Sequence, residues 1–333
     1  MKKNVCVLGS GAWGTALSNL LADNGHRVRI YGVCLDEIDE INKTHTNTRY
    51  FKDDYVINSS IKATNDLDWA IQDAEIIVLA VPSFAIKENV KNIEKYLTSE
   101  KIIVNVAKGF DKETQNPLGQ FIRDCLPFDY RKNVASLLGP TFAEEVSEKQ
   151  FTAITVSATD LAVMKKVQEV FSNEYFRVYT NHDTIGAEYC AALKNVIALA
   201  CGIIDGIGCK VNTRAALITR GMVEIMRYVT LFGGDEKTCY GLAGVGDLIL
   251  TCSSTTSRNY TAGHTIGARG IEYFLKNNTK TVEGVMACEI AYEISKKHSI
   301  YSPIIEAVYN VIHAKSLPKE EMKKMMHFIL KAE

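Results

Sequence analysis

No Cys-x-x-Cys pair occurs in this chain, and its nine cysteines, an odd set scattered from Cys6 to Cys288, follow neither a disulfide framework nor zinc-ligand spacing. They read as reduced thiols in packing roles. No His/Cys cluster offers a ligand set, so no metal is expected. Net charge is also lacking: 38 Lys and Arg stand against 39 Asp and Glu, a formal charge of -1. That balance gives no broad basic field for nucleic acid or an anionic membrane, so any anionic ligand must be met by a local site. Nor is there an apolar run of membrane length. The longest, residues 196–204, is interrupted by Gly202 and is about half of the ~20 residues that a span needs. Behind Met1-Lys2-Lys3 the apolar residues 5–8 run straight into glycines, too short for the core of a secretory signal. The expectation is a soluble, cytoplasmic protein without stable membrane insertion. Repeats, low-complexity tracts and long charge runs are absent too, so the whole chain is expected to fold.

What is present is an ordinary globular composition, 333 residues with 23% charged and 47% hydrophobic side chains, enough for about two domains at ~150 residues each. In the first half, short apolar runs at residues 4–8, 27–31, 75–81, 101–106 and 133–138 read as strands buried on both faces. Stretches of helical period lie between them, at 15–23 and 84–96. This is the alternation of a parallel sheet wrapped by helices. Residues 151–156 and 175–179, separated by the helical stretch 160–171, read as one further β-α-β unit on the same sheet. After Asp183 almost every segment has helical periodicity, and glycines at 206, 208, 233, 234, 244 and 246 mark the turns. Residues 188–204 and 213–232 are long and apolar enough for central helices, while 288–298, 304–314 and 320–330 read as shorter amphipathic ones. The predicted fold is therefore α/β: a doubly wound, Rossmann-type sheet over residues 1–185 followed by an all-α domain over residues 186–333. The first would bind a dinucleotide, and the second would carry substrate and catalysis.

Gly9-Ser10-Gly11-Ala12-Trp13-Gly14 follows the first strand directly and opens the helix beginning near Thr15, the setting that a dinucleotide fingerprint requires. Gly9 permits the tight turn, Gly11 lets the backbone approach a pyrophosphate, Gly14 lets helix and strand pack closely, and the helix N-terminus offers N–H groups to the anion. The usual acidic residue at the end of the second strand is missing from Arg27-Val28-Arg29-Ile30-Tyr31-Gly32-Val33, and Asp36 comes late. No basic residue stands at Val33 or Cys34 to pair with a 2′-phosphate, so the choice between NAD and NADP stays open. Later strands end in Val81-Pro82-Ser83 and Ala107-Lys108-Gly109, where such a sheet places its ligand crevice.

In the second half, Lys194 and Asn195 sit in the middle of a mostly apolar helical stretch. A buried ammonium is costly unless it is paired or gives up its proton, and such a lysine is a usable general acid or base; otherwise its stem carries it to the surface. Asn195 can both donate to and accept from a polar ligand. In Gly241-Leu242-Ala243-Gly244-Val245-Gly246-Asp247, one carboxylate stands between a glycine-rich turn and an apolar run. It either caps a helix or partners Lys194. Ser257-Arg258-Asn259 opens a further helix through Arg269, and a hydroxyl, a guanidinium, an amide and a helix N-terminus together suit a phosphate.

The motifs GSGAWGTA, VPS, AKG, LGPTFAEE, ALKNVIALACGIIDGIG, NTRAALITRG, GLAGVGDLILTC, SRN and VEG occur in that order. On them the chain resembles, over essentially its full length, the bacterial NAD(P)-dependent glycerol-3-phosphate dehydrogenases. The resemblance implies hydride transfer between dihydroxyacetone phosphate and sn-glycerol 3-phosphate, supplying glycerol 3-phosphate for phospholipid synthesis. It gives Lys194 the proton-acceptor position and makes Asp247, Asn195 and Thr251 its helpers. It maps substrate contacts onto Lys108, Gly139, Thr141, Lys194, Asp247, Ser257, Arg258 and Asn259. It maps cofactor contacts onto Ala12, Trp13, Lys108, Ala143, Arg258 and Glu283, which join Gly9, Gly11 and Gly14 of the loop read above. Two positions depart from the common pattern: Ala12 replaces a frequent serine, and Val33 replaces a polar or basic residue, which weakens any inference of NADP preference. The resemblance, with the apolar central helices, also leads us to expect a homodimer. Two other functions remain open on the sequence: a dehydrogenase of a β-hydroxy acid or a ketopantoate-like acid, and a sensor that binds dinucleotide without turnover. The Ser257-Arg258-Asn259 phosphate motif argues against the first, and the intact Lys194 and Asp247 argue against the second.

Overall fold

The structure, a computed structural model, describes residues 2–52, 55–97 and 101–326. It divides into two compact units, Met1–Asp111 with Asn116–Thr184, and Lys112–Gln115 with Ile185–Glu333. The first is built on one eight-stranded sheet: β1 (Asn4–Leu8), β2 (Arg27–Tyr31), β3 (Lys62–Thr64), β4 (Ile76–Leu79), β5 (Ile102–Asn105), β6 (Val134–Leu138), β7 (Thr152–Ala158) and β8 (Phe176–Asn181). Their spatial order is β3-β2-β1-β4-β5-β6-β7-β8. The order reverses between β1 and β4, which makes the C-terminal ends of those strands the switch point of the sheet.

The unbroken apolar runs are explained by burial on both faces. Val5, Val7, Ile76 and Val78 point to one side, where Leu17, Leu20 and Leu21 of the helix Ala12–Asp23 cover them together with Val163, Val167 and Phe171 of Leu161–Phe171. Cys6, Leu8, Ile77 and Leu79 point to the other, under Ile86, Val90 and Ile93 of Ile86–Glu94 and Phe121 and Ile122 of Leu118–Cys125. Alternation of period two thus feeds two cores instead of a core and a solvent face. Within the second of these cores the Cys6 thiol, sealed by burial, is pushed up to about 12.

The sheet differs from the all-parallel expectation at one step. β7 runs antiparallel to β6, whereas β8 returns parallel to β7 as a β-α-β unit should. The link over residues 139–151 holds a helix of only five residues, Ala143–Ser147, and a parallel return normally needs a full crossover helix. The edge strand β3, absent from the sequence expectations, is three residues long and too short to show periodicity.

The second unit is helical. Its central helix, Thr184–Gly206, is 23 residues long and apolar enough to cross a membrane by composition, but its apolar window is wholly buried within the protein. Around it lie Val211–Leu231, Asp247–Ser253, Arg258–Arg269, Ile271–Asn277, Glu283–His298, Pro303–Ile312 and Pro318–Met326. The expected helix over 320–330 is thus in place to Met326, and its remainder lies outside the described residues. Gly206, expected to mark a turn, is the last residue of the central helix and lies in the turn that the Gly208 N–H closes on the Asp205 carbonyl at 2.9 Å. The Lys112–Gln115 segment, with Lys112 3.9 Å from Glu289 and Gln115 donating to Glu293 at 2.5 Å, belongs to this unit although the chain returns to the sheet after it.

One buried carboxylate organises the far end of this unit. Pro303–Ile312 has no side-chain cap of its own; Glu224, from Val211–Leu231, accepts the N–H groups of Ile304 at 2.7 Å and Ile305 at 3.2 Å instead. Burial pushes its carboxyl up to about 7, against the lowering pull of those two amides and of Arg227 and Arg220. Because the folded value lies above the unfolded one of 4.5, protonation favours the fold. The contribution is complete below 4.5 and is lost as pH rises through 7. Urea unfolding should therefore show Glu224→Gln narrowing the stability difference between pH 5 and pH 8 relative to the parent chain; an unchanged difference would contradict this role.

Candidate functional site

In the first unit the glycines have separable causes. Gly9 has φ +117°, and a Cβ there would lie 2.5 Å from the Ala80 carbonyl oxygen. A Cβ on Gly14 would lie 2.0 Å from the Gly9 carbonyl oxygen. Both are demanded by the turn itself. Gly11 is different: a Cβ there would meet nothing within 4 Å. It is the N-cap of Ala12–Asp23 with no side-chain cap bond, and the first amides of a helix have no partner within the helix itself. It is the candidate cradle for a pyrophosphate. Ala12, Trp13 and Ala143 all pack against the core beside this loop, and Ala143–Ser147 lies along Ala12–Asp23.

A second loop cluster forms at the ends of β5 and β6. The buried Asn105 side chain bonds both backbone groups of Ala107, at 3.1 Å each, which fixes the Ala107-Lys108-Gly109 turn. Lys108 Nζ then donates to the Gly139 carbonyl at 2.9 Å, and Thr141 Oγ1 donates to the same oxygen at 3.4 Å. Lys108 is thus a neighbour of Gly139 and Thr141, although 31 residues separate it from Gly139.

In the second unit, Lys194 does not reach the surface. Its side chain is 7% exposed, and Nζ donates to Asp247 Oδ1 at 2.5 Å and to Thr251 Oγ1 at 2.7 Å. Thr251 in turn donates to the Asp247 carbonyl oxygen at 2.6 Å. Asp247 is not a cap: Gly246 holds that position, and Asp247 is the first residue of Asp247–Ser253. It is aimed by a single π-type turn, Leu242–Gly246, in which a Cβ on Gly244 would lie 2.1 Å from the Cys239 carbonyl oxygen. The glycine-rich turn thus exists so that the backbone can fold tightly before the carboxylate. Cys252, next in line, is fully buried, and burial raises its thiol.

Asn195 Oδ1 accepts from Asn259 Nδ2 at 2.9 Å, and Asn259 Oδ1 accepts from the Gly284 N–H at 2.9 Å. The chain of bonds ties the central helix, Arg258–Arg269 and Glu283–His298 together. Ser257 caps Arg258–Arg269 by accepting from the Tyr260 N–H at 3.3 Å, so part of its role is architectural. Arg258, at the first helical position, is exposed. Glu283 opens its own helix.

Two features escape a reading of the sequence. Gly202 and Gly206 face Gly263 and Gly267 across a helix crossing. A Cβ on each would lie between 2.0 and 2.3 Å from a carbonyl oxygen of the other helix. The spacing of four in both helices, one helical turn, is visible in the sequence and signals such contact, but it reads equally as turn punctuation. The second is a buried carboxylate, Glu37, 5% exposed, which accepts from Ser10 Oγ at 2.5 Å under the glycine loop. Nothing in an acidic amphipathic helix separates this glutamate from its solvated neighbours.

A glycine-loop dinucleotide cradle in one unit and a buried lysine–aspartate pair in a helical second unit define a nicotinamide-dinucleotide-dependent dehydrogenase. Comparison with known proteins is more specific. The model described as NAD-dependent glycerol-3-phosphate dehydrogenase N-terminus matches residues 4–164, and its C-terminus counterpart matches 183–323. The chain is 46% identical over 325 residues to glycerol-3-phosphate dehydrogenase [NAD(P)+] of an Exiguobacterium species, covering 97% of this chain and 95% of that one. It is 41% identical over 327 residues to the protein of the same name from Enterococcus faecalis, covering 98% and 96%. The crystal structure of glycerol-3-phosphate dehydrogenase from Coxiella burnetii superposes with a TM-score of 0.90 at 32% identity, covering 98% of this chain and 99% of that one. The chain belongs to the NAD-dependent glycerol-3-phosphate dehydrogenase family.

The glycine geometry gives a direct test of the cradle. Gly11→Ala should cost no more than about 1 kcal/mol of stability yet weaken NADH and NADPH binding, measured by fluorescence titration. Gly14→Ala should fail to fold or unfold at much lower urea. Equal affinity in Gly11→Ala and the parent would remove the pyrophosphate from this loop.

Proposed function

We propose that Lys194 passes the proton in the reaction of this family, the interconversion of dihydroxyacetone phosphate and sn-glycerol 3-phosphate. The chain is an oxidoreductase with NAD(P) as coenzyme. The single observation that carries the assignment of Lys194 is its burial in an apolar helix on Asp247 and Thr251. When bound, the nicotinamide supplies or accepts hydride at the substrate's C2. In the reduction, Lys194 gives a proton to the oxygen on which negative charge develops; in the oxidation, it takes the hydroxyl proton as hydride leaves. Asp247 holds the ammonium in place and offsets the cost of its burial. Thr251 fixes the direction of the N–H bonds, and Asn195, held by Asn259, presents an amide from the neighbouring helical position.

Substrate contacts in this reading are Lys108, Gly139, Thr141, Lys194, Asp247, Ser257, Arg258 and Asn259, with Arg258 as the phosphate grip. Its exposure and its place at a helix N-terminus support that role. The cofactor contacts are the glycine loop with Ala12 and Trp13, then Lys108, Ala143, Arg258 and Glu283. A cytoplasmic homodimer that supplies glycerol 3-phosphate for phospholipid synthesis completes the reading, supported by the family resemblance. Family membership leaves no observation in favour of an acid substrate or a non-catalytic sensor.

Absorbance at 340 nm should fall when the protein is mixed with dihydroxyacetone phosphate and reduced cofactor, and should stay constant with a β-keto acid. Bound but unoxidised cofactor would return the sensor reading. Lys194→Ala should lower turnover by roughly 10²-fold or more while retaining cofactor binding; near-normal turnover would make the lysine structural. Arg258→Ala should raise KM for dihydroxyacetone phosphate by about tenfold or more, the scale of one charge-assisted contact, whereas unchanged kinetics would remove it from the phosphate.

A further inference from the structure

The end of β2 lacks both groups by which this fold usually reads the adenosine ribose. No carboxylate ends the strand, and Val33, where a cation would serve, is apolar and 85% exposed. Space supplies what sequence position does not. Gly32, the residue after β2, is so close to the glycine loop that a Cβ on it would lie 2.5 Å from Ser10 Oγ. That hydroxyl donates to Glu37 Oε2, and the other carboxylate oxygen of Glu37 accepts from Arg49 Nη1 at 2.9 Å and from the Tyr50 hydroxyl at 3.3 Å. A guanidinium brought from residue 49 is therefore tied, through one carboxylate, to the second residue of the pyrophosphate loop.

The two partners differ in what they can still do. The Glu37 side chain is 7% exposed and has both oxygens engaged, so it is a poor acceptor for a ribose diol. Arg49 is 64% exposed and uses Nη1 on Glu37, which leaves donors of a planar fork facing solvent. Asn47 adds rigidity from the same segment, donating to the Ser10 carbonyl at 2.9 Å and to Thr15 Oγ1 at 3.0 Å. The segment carrying Arg49 is thus braced against the loop.

We propose that Arg49 is the residue that takes the 2′-phosphate of NADP, so that the cation missing after β2 is delivered by the segment following the next helix and positioned by Glu37. This rests on the dinucleotide-binding reading above. It makes NADPH the favoured reductant and divides the labour at the sheet end: Glu37 positions, and Arg49 recognises. The 2′-phosphate is doubly charged near neutral pH, and a guanidinium already oriented by a buried carboxylate loses little freedom when it binds.

The test separates recognition from architecture by using cofactor fragments. Calorimetric titration of the parent protein should give an affinity for adenosine 2′,5′-bisphosphate at least tenfold tighter than for 5′-AMP. Arg49→Gln should remove that advantage and leave 5′-AMP affinity within about twofold, Arg49→Lys should keep part of it, and KM should rise for NADPH but not for NADH. Equal weakening of both fragments in Arg49→Gln, or an undiminished preference for the bisphosphate, would overturn the proposal. So would loss of the preference in Asp36→Asn instead, since Asp36 is the exposed acidic residue nearest the strand end in sequence. A parent protein that binds neither fragment nor either reduced dinucleotide would overturn the dinucleotide reading itself.

Discussion

An ammonium group buried in an apolar helix is the constraint on which the second unit depends. Lys194 sits in a run of apolar side chains, and its ammonium is met there by Asp247 and Thr251. A buried ion pair gains little net stability over an apolar pair of the same volume, but removing one partner leaves the other uncompensated at a cost of ~3–5 kcal/mol. The surrounding backbone is correspondingly fixed. The π-type turn before Asp247 requires Gly244 against the Cys239 carbonyl, and the glycine crossing locks the central helix against Arg258–Arg269 at backbone contact. Those two devices set where the carboxylate and the Ser257-Arg258-Asn259 turn stand with respect to Lys194. The arrangement favours fixed geometry over net stability.

In the first unit the glycine loop is held by contacts of a different kind. Gly9 and Gly14 are fixed by collisions, while Gly11 borders empty space. Ser10 is tied to Glu37, Glu37 to Arg49, and Asn47 to the Ser10 carbonyl, which braces the loop. Asn105 performs the same service for the Lys108 turn by bonding both backbone groups of Ala107. In each case a buried polar side chain replaces regular hydrogen bonding in a loop that must stay irregular.

Much of this is legible in the order of the residues alone. Runs such as residues 4–8 and 133–138 declare themselves because both faces are buried, and the glycine loop is recognisable from its place between β1 and a helix. Lys194 stands out because a charge in an apolar period is an anomaly that something must resolve. The antiparallel turn of β7 is not legible, since strand direction depends on how a connecting segment packs and periodicity carries no sign. Edge strand β3 is three residues long, shorter than any pattern. Glu37 and Glu224 look in sequence like any glutamate on a helix; only tertiary contacts with Ser10, and with the amides of Ile304 and Ile305, make them structural. The four-residue glycine spacing is readable, but glycine's use in turns competes with its use in close helix packing.

The most direct measurement of the central claim is chemical rescue. Lys194→Ala, verified as folded and as binding reduced cofactor, would be assayed with dihydroxyacetone phosphate while small primary amines are added. If the ammonium of Lys194 carries the proton, turnover should rise with the concentration of protonated amine and fall off as the amine outgrows the cavity, with no comparable gain in Asp247→Ala. A variant that binds both ligands yet gains nothing from any amine, or gains equally from uncharged solutes of the same size, would contradict the account.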